Sequence, residues 1–140
     1  MSERIPRIER VMYLGLSVRD ARRSARWYGE VLGMLVEREN FGASSWPSRW
    51  DEVLLREPHS DLRIGLLQHP ENGGERFSEF RTGLDHVEFE VESPAALDAW
   101  RRRLDSLGIA WSGARAHIVT FRDPDNIQLE FYCAAMASGG

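Results

Sequence analysis

Two periodicities alternate along this chain. Over 11–18, Leu14, Leu16 and Val18 fall on one side, and Tyr13, Gly15 and Ser17 fall on the other. A two-residue period of this kind predicts a half-buried strand. Asp20 then stands where a helix wants an N-cap. Ala21, Ala25, Tyr28 and Leu32 recur at helical spacing, and Gly33 is placed to stop the helix, which predicts a helix over 21–32. A short strand is expected at 34–39. A loop containing Gly, Ser and Pro follows at 40–50 and carries Trp46 and Trp50. Residues 51–56 and 62–68 predict two strands joined by a turn at 58–61. A polar loop with Gly73-Gly74 comes next.

The pattern then restarts. In "LDHVEFEVES", Val87, Phe89 and Val91 interleave with His86, Glu88, Glu90 and Glu92. Ser93 and Pro94 suit a helix start, and Leu97, Trp100, Leu104 and Leu107 form the next apolar stripe before Gly108. Further strands are expected at 109–112, 117–122 and 127–133, with Asp123-Pro124-Asp125-Asn126 as a turn between the last two. The order strand–helix–strand–strand–strand therefore occurs twice. "YLGLSVRD" answers "HVEFEVES", and "EVLGM" answers "DSLGI". Element order, caps and stops rarely repeat together by chance. The expectation is one α+β domain over 1–140 made of two βαβββ modules, at 8–69 and 84–133, with a loop at 70–83.

Composition narrows the functional classes. With 140 residues, 42% hydrophobic and 29% charged, the chain suits one globular domain. A net charge of -4 argues against nucleic-acid or anionic-membrane partners. The Arg22-Arg23 and Arg101-Arg102-Arg103 runs sit inside predicted helices and read as solvated faces. The single cysteine, Cys133, excludes an intrachain disulfide and fits a reducing compartment. No signal-peptide core or membrane-length apolar run is seen, so a cytoplasmic location is expected.

The stretches "LGLSVRDARRSARWYGEVLGM", "LDHVEFEVES" and "FRDPDNIQLEFY" resemble the vicinal oxygen chelate superfamily. That family includes glyoxalase I, extradiol dioxygenases, fosfomycin resistance enzymes and bleomycin-binding proteins. The resemblance implies a cupped mixed sheet with helices on its outer face, and a homodimer. It also implies that Val87, Phe89 and Val91 face the helices while His86, Glu88 and Glu90 face the cup.

Metal-using members of the family carry ligands near the start of each module's first strand and on each module's last strand. In module two those positions are His86 and Glu130. In module one they are Tyr13 and Gly65, where His or Gln and then Glu would be usual. The metal set is thus His86 and Glu130, with His117 or a deprotonated Tyr13 as the third ligand. The bound ion would be Zn²⁺, Ni²⁺, Mn²⁺ or Fe²⁺. Without metal, His86, Glu130 and Tyr13 can act as acid–base and hydrogen-bonding catalytic groups. Ligand-binding candidates are Tyr13, Arg63, Gly65, Glu88, Trp46, Trp50 and Gln128. Arg63 is expected to pair with Glu88 or with an anionic ligand. Gly65 would widen the cup floor, and the loop tryptophans suit a flat ligand.

The favoured expectation is a binding module that sequesters a bulky, aromatic metabolite and requires no cofactor. The alternative is a lyase, isomerase or dioxygenase, either metal-dependent or using His86, Glu130 and Tyr13. In both cases the partner is a small molecule.

Overall fold

A computed structural model of the chain describes residues 4–42 and 50–137. Module one comprises β1 (Tyr13–Ser17), α1 (Ala21–Leu32), β2 (Leu35–Asn40), β3 (Asp51–Arg56) and β4 (Arg63–Gln68). Module two comprises β5 (His86–Glu90), α2 (Pro94–Ser106), β6 (Trp111–Ser112), β7 (Ile118–Arg122) and β8 (Gln128–Tyr132), followed by a short α3 (Ala134–Ala137).

The helices begin and end for local reasons. The Asp20 side chain accepts a hydrogen bond from the Arg23 N–H, and Gly33 closes α1 in the left-handed region at φ 72°. The Ser93 side chain accepts from the Ala96 N–H, and Pro94 opens α2. Gly108, expected as the stop of α2, lies two residues past its end at φ 69°.

The two modules share one topology. Their strand orders are β1-β4-β3-β2 and β5-β8-β7-β6. In each, the first and last strands are parallel and the remaining pairs antiparallel. The registers also match. Tyr13, Gly15 and Ser17 pair with Arg63, Gly65 and Leu67. His86, Glu88 and Glu90 pair with Gln128, Glu130 and Tyr132. Tyr13 therefore corresponds to His86, Gly15 to Glu88, and Gly65 to Glu130. The ladder of β2 breaks between Val36 and Arg38, which leaves Glu37 as a bulge residue.

One apolar cluster joins the modules. Tyr28, Val31, Leu55, Leu66, Leu97, Leu104, Phe121 and Phe131 all belong to it, and Val87, Phe89 and Val91 pack against it as expected. Trp100 stacks on Phe131 at 4.3 Å and Trp27 lies over Phe121 at 6.3 Å. Each large apolar side chain so buried contributes roughly 1.5–3 kcal/mol.

The turn between β7 and β8 supplies the polar part of this joint. Asp123 accepts from the Tyr28 hydroxyl at 2.8 Å and from the Asp125 and Ile127 N–H groups at 2.8 and 2.9 Å. Asp125 accepts from the Arg19 guanidinium at 2.6 Å and from the Ser24 hydroxyl at 3.3 Å. Both aspartates are buried, and each is satisfied by partners from module one. Burial raises the Asp123 pKa above its ordinary value, against the pull of its hydrogen bonds.

Candidate functional site

With their apolar sides committed to the core, the strands leave one polar face on each sheet. On the second sheet that face gathers His86 and Glu88 from β5, Gln128 and Glu130 from β8, and Thr120 from β7. The register sets Glu88 opposite Glu130 and Glu130 opposite Thr120. Each of His86, Glu88 and Glu130 offers a donor atom, and these atoms lie within 4.8 Å of one another.

The cluster is oriented by its neighbours. His86 Nδ1 lies 2.7 Å from Asp85 Oδ1, so the ring proton belongs on Nδ1 and the Nε2 lone pair is free. Nε2 lies 3.4 Å from Glu130 Oε1. The other oxygen of Glu130, Oε2, accepts from the Thr120 hydroxyl at 2.9 Å and from the Gln128 amide at 3.1 Å. Glu130 is thus clamped by Oε2 and presents Oε1. The His86 pKa is raised, chiefly by the hydrogen bond to Asp85. Partial burial opposes this, and the charges of Glu130, Asp85 and Glu88 add to it.

The first sheet has the same backbone and a different face. The Tyr13 ring lies across Gly65, so close that a Cβ at Gly65 would overlap its hydroxyl; a Cβ at Gly15 would meet Tyr13 Cε1 at 3.2 Å. The expectation that Gly65 widens the cup floor is therefore corrected, because the Tyr13 ring occupies the space the missing side chain leaves. Burial, then the Glu52 charge, raise the Tyr13 pKa, with Arg38 opposing. The phenolate needed for a ligand role is thereby disfavoured.

The remaining candidates fall as follows. Arg63 does not pair with Glu88. Its guanidinium meets Glu37 at 3.0 and 3.1 Å and Asp61 at 3.0 Å, all within module one. The bulge at Glu37 makes that pairing available. His117 precedes β7 and sets its ring edge-on to Tyr132 at 5.4 Å, apart from the donor cluster. Trp50 is half-buried, with its ring 5.9 Å from that of His69. Trp46 lies outside the described residues. The charges acting on His86 come from module two and those acting on Tyr13 from module one. Tyr13 lies on the first sheet and the His86 cluster on the second.

Two contributors, Asp85 and Thr120, escaped the sequence reading. Glu88, expected at ligand contact, stands with the donors, and its i, i+2 relation to His86 places both on one strand face. Asp85 carried the signal of adjacency. Thr120 carried that of alternation with Val119 and Phe121.

A divalent ion fits this donor set. Ligands about 2.1 Å from a common ion stand roughly 3–4 Å apart, so small side-chain adjustments close the cluster. One imidazole and two carboxylates form a mixed nitrogen–oxygen set suited to Mn²⁺, Fe²⁺ or Zn²⁺.

Paired βαβββ modules with a polar, donor-bearing face define a class of small-molecule and metal-binding proteins. The chain belongs to the Glyoxalase/Bleomycin resistance protein/Dioxygenase superfamily, whose family model matches residues 7–131. It is similar to a glyoxylase/bleomycin resistance protein/dioxygenase domain from Frankia sp. EAN1pec, at 34% identity and TM-score 0.74 over 91% of this chain and 98% of that one. Its fold is also that of the fosfomycin resistance protein FosX from Listeria monocytogenes, solved with Mn(II) and sulfate, at 17% identity and TM-score 0.67 over 91% of this chain and 93% of that one. FosX from Mesorhizobium loti matches at 22% identity and TM-score 0.64, over 90% and 92% of the two chains. No curated protein matches the chain.

Proposed function

We propose that the polar face of the second sheet holds a divalent cation on His86, Glu88 and Glu130, and that the chain is a Lewis-acid enzyme acting on a small molecule with vicinal oxygens. The observation that carries this reading is the convergence of three donor atoms within 4.8 Å. The Mn(II) bound by the FosX of Listeria monocytogenes, a protein of the same fold, supports it.

When bound, the ion would polarise an oxygen of the ligand. The protein's own groups do the rest. Asp85 fixes the His86 tautomer and orientation. Thr120 and Gln128 hold Glu130 by one oxygen, so that the other is directed at the ion position. One histidine and two carboxylates differ from the two-histidine, one-carboxylate set of iron oxygenases. The donor chemistry therefore favours a lyase or isomerase over a dioxygenase. A cytoplasmic location and a homodimer remain part of this proposal. Among the described residues no helix is long and apolar enough to cross a membrane.

The deciding experiment is a titration of chelator-treated protein with Mn²⁺, followed by calorimetry and by the electron paramagnetic resonance of free Mn²⁺. One ion per chain, lost in Glu130→Gln, is the expected result. No binding at millimolar Mn²⁺, Fe²⁺ or Zn²⁺ would overturn the metal reading. It would return the cup to sequestration of a bulky ligand.

A further inference from the structure

An acidic groove runs along the open edge of β5. Among the described residues β5 is the terminal strand of the second sheet, paired on one side only, by β8. Beside it lies a cavity of about 760 Å³. Its apolar lining includes Met34, Leu62, Phe89, Val91 and Trp100, and its acidic lining is Glu57, Glu88, Glu90 and Glu92. Such an edge offers unpaired backbone donors and acceptors that a protein must cover or defend.

The chain carries a segment of complementary character. Residues 4–12 have no helix or strand and lie exposed. Ile5, Ile8 and Val11 are 93%, 86% and 83% accessible, and Met12 is 62% accessible. Arg4, Arg7 and Arg10 recur at the same three-residue spacing, one place ahead. Scattered exposed apolar residues are ordinary, but a run of them at fixed spacing marks a contact surface. With three residues per turn, as in a polyproline II conformation, Ile5, Ile8 and Val11 share one side and Arg4, Arg7 and Arg10 the next, and nine such residues span roughly 28 Å, enough to follow β5 and pass its end.

We infer that the arm 4–12 of a second copy of this chain docks in the β5 groove. The apolar residues meet the Phe89, Val91 and Trp100 floor, and the arginines meet Glu57, Glu90 and Glu92 on the rim, leaving Glu88 to the donor cluster. The contact is reciprocal, so each copy lends its arm to the other and a closed twofold dimer results. The arm runs directly into β1, so docking brings the partner copy's first sheet to the edge of the second. Arm and groove together form the surface behind the proposed homodimer. It does not depend on the metal.

Charge exchange tests it in the full chain, with chelator present throughout. One variant carries Arg4→Glu, Arg7→Glu and Arg10→Glu; the other carries Glu90→Lys and Glu92→Lys. All five positions are exposed and outside the donor cluster, and circular dichroism checks that each variant is folded. Sedimentation should show a wild-type dimer whose association weakens with salt. Each variant alone should dimerise at least tenfold more weakly. An equimolar mixture should recover the wild-type association, because both contacts of the mixed dimer are then between opposite charges. A wild-type monomer, a dimer indifferent to both reversals, or a mixture without recovery would each overturn the inference. Metal binding is read separately, so neither result decides the other.

Discussion

The two sheets of this molecule have the same strand order and the same pairing register, yet their polar faces hold different chemistry. Where the second sheet carries His86, Glu88 and Glu130, the first carries Tyr13, Gly15 and Gly65. The two small residues and the one large residue of the first sheet are a single adaptation. The Tyr13 ring, over Gly65 and beside Gly15, fills the positions that carboxylates occupy on the other sheet as a donor cluster. A repeated backbone sets positions in space, and side chains alone decide whether such a position binds, fills or blocks.

The largest effect is expected at the donors. Glu130→Gln should lower Mn²⁺ affinity at least 100-fold, about 2.7 kcal/mol. Tyr13→Phe, at the position on the first sheet that corresponds to His86, should change the affinity less than about threefold, or roughly 0.6 kcal/mol. Calorimetry on both proteins checks this. Equal losses would mean that the two faces act as one site.

Next in size is the packing of Tyr13. Gly65→Ala should destabilise the fold by roughly 1–3 kcal/mol, since the new methyl group displaces the ring. In a Tyr13→Ala background the same change should cost less than about 0.5 kcal/mol, a coupling that urea denaturation of the four proteins would measure. Additive costs would show that the ring is not what fills the Gly65 position.

A smaller effect is expected at Asp85. Asp85→Asn removes the carboxylate that orients His86 and should weaken Mn²⁺ binding about tenfold. The same change should bring the imidazole pKa back toward its ordinary value, which NMR titration can follow. Unchanged values in both measurements would assign Asp85 to solvent rather than to the site.

The smallest effect concerns stability and pH. Because the folded state raises the His86 pKa above 6.5, its contribution to metal-free stability is complete below that value. That contribution is lost as pH rises through the raised folded pKa. Urea midpoints from pH 5.5 to 8.5 should therefore fall slightly more in the wild type than in His86→Gln. The reverse slope would contradict the assigned environment.

The sequence was most legible where chemistry is local. Asp20, Gly33, Ser93 and Pro94 mark helix ends because caps depend on the nearest few residues. Alternation separated Val87, Phe89 and Val91 from His86 and Glu88 because the strand period fixes the faces. What escaped depends on paths across the sheet. The Tyr13 ring reaches Gly65 on a neighbouring strand, and no periodicity encodes that. Arg63 found Glu37 because a bulge in β2 re-aimed that residue, and the bulge leaves no clear mark in the sequence. The spacing of Glu88 to His86 marks it as a third donor, whereas a family pattern of one ligand per strand points to Tyr13 and His117.

The buried turn between β7 and β8 also has a consequence for how the protein is made. Its two aspartates bond to Tyr28, Ser24 and Arg19 across separations of 95, 101 and 106 residues. Contacts so distant in sequence form late and slow the search for the native state. During synthesis, α1 leaves the ribosome long before its polar partners exist, and it must wait with its apolar stripe uncovered. Two repeats that look separable on paper are in this respect a single cooperative unit. A nascent chain stalled before residue 123 would lack the joint that locks its first helix in place.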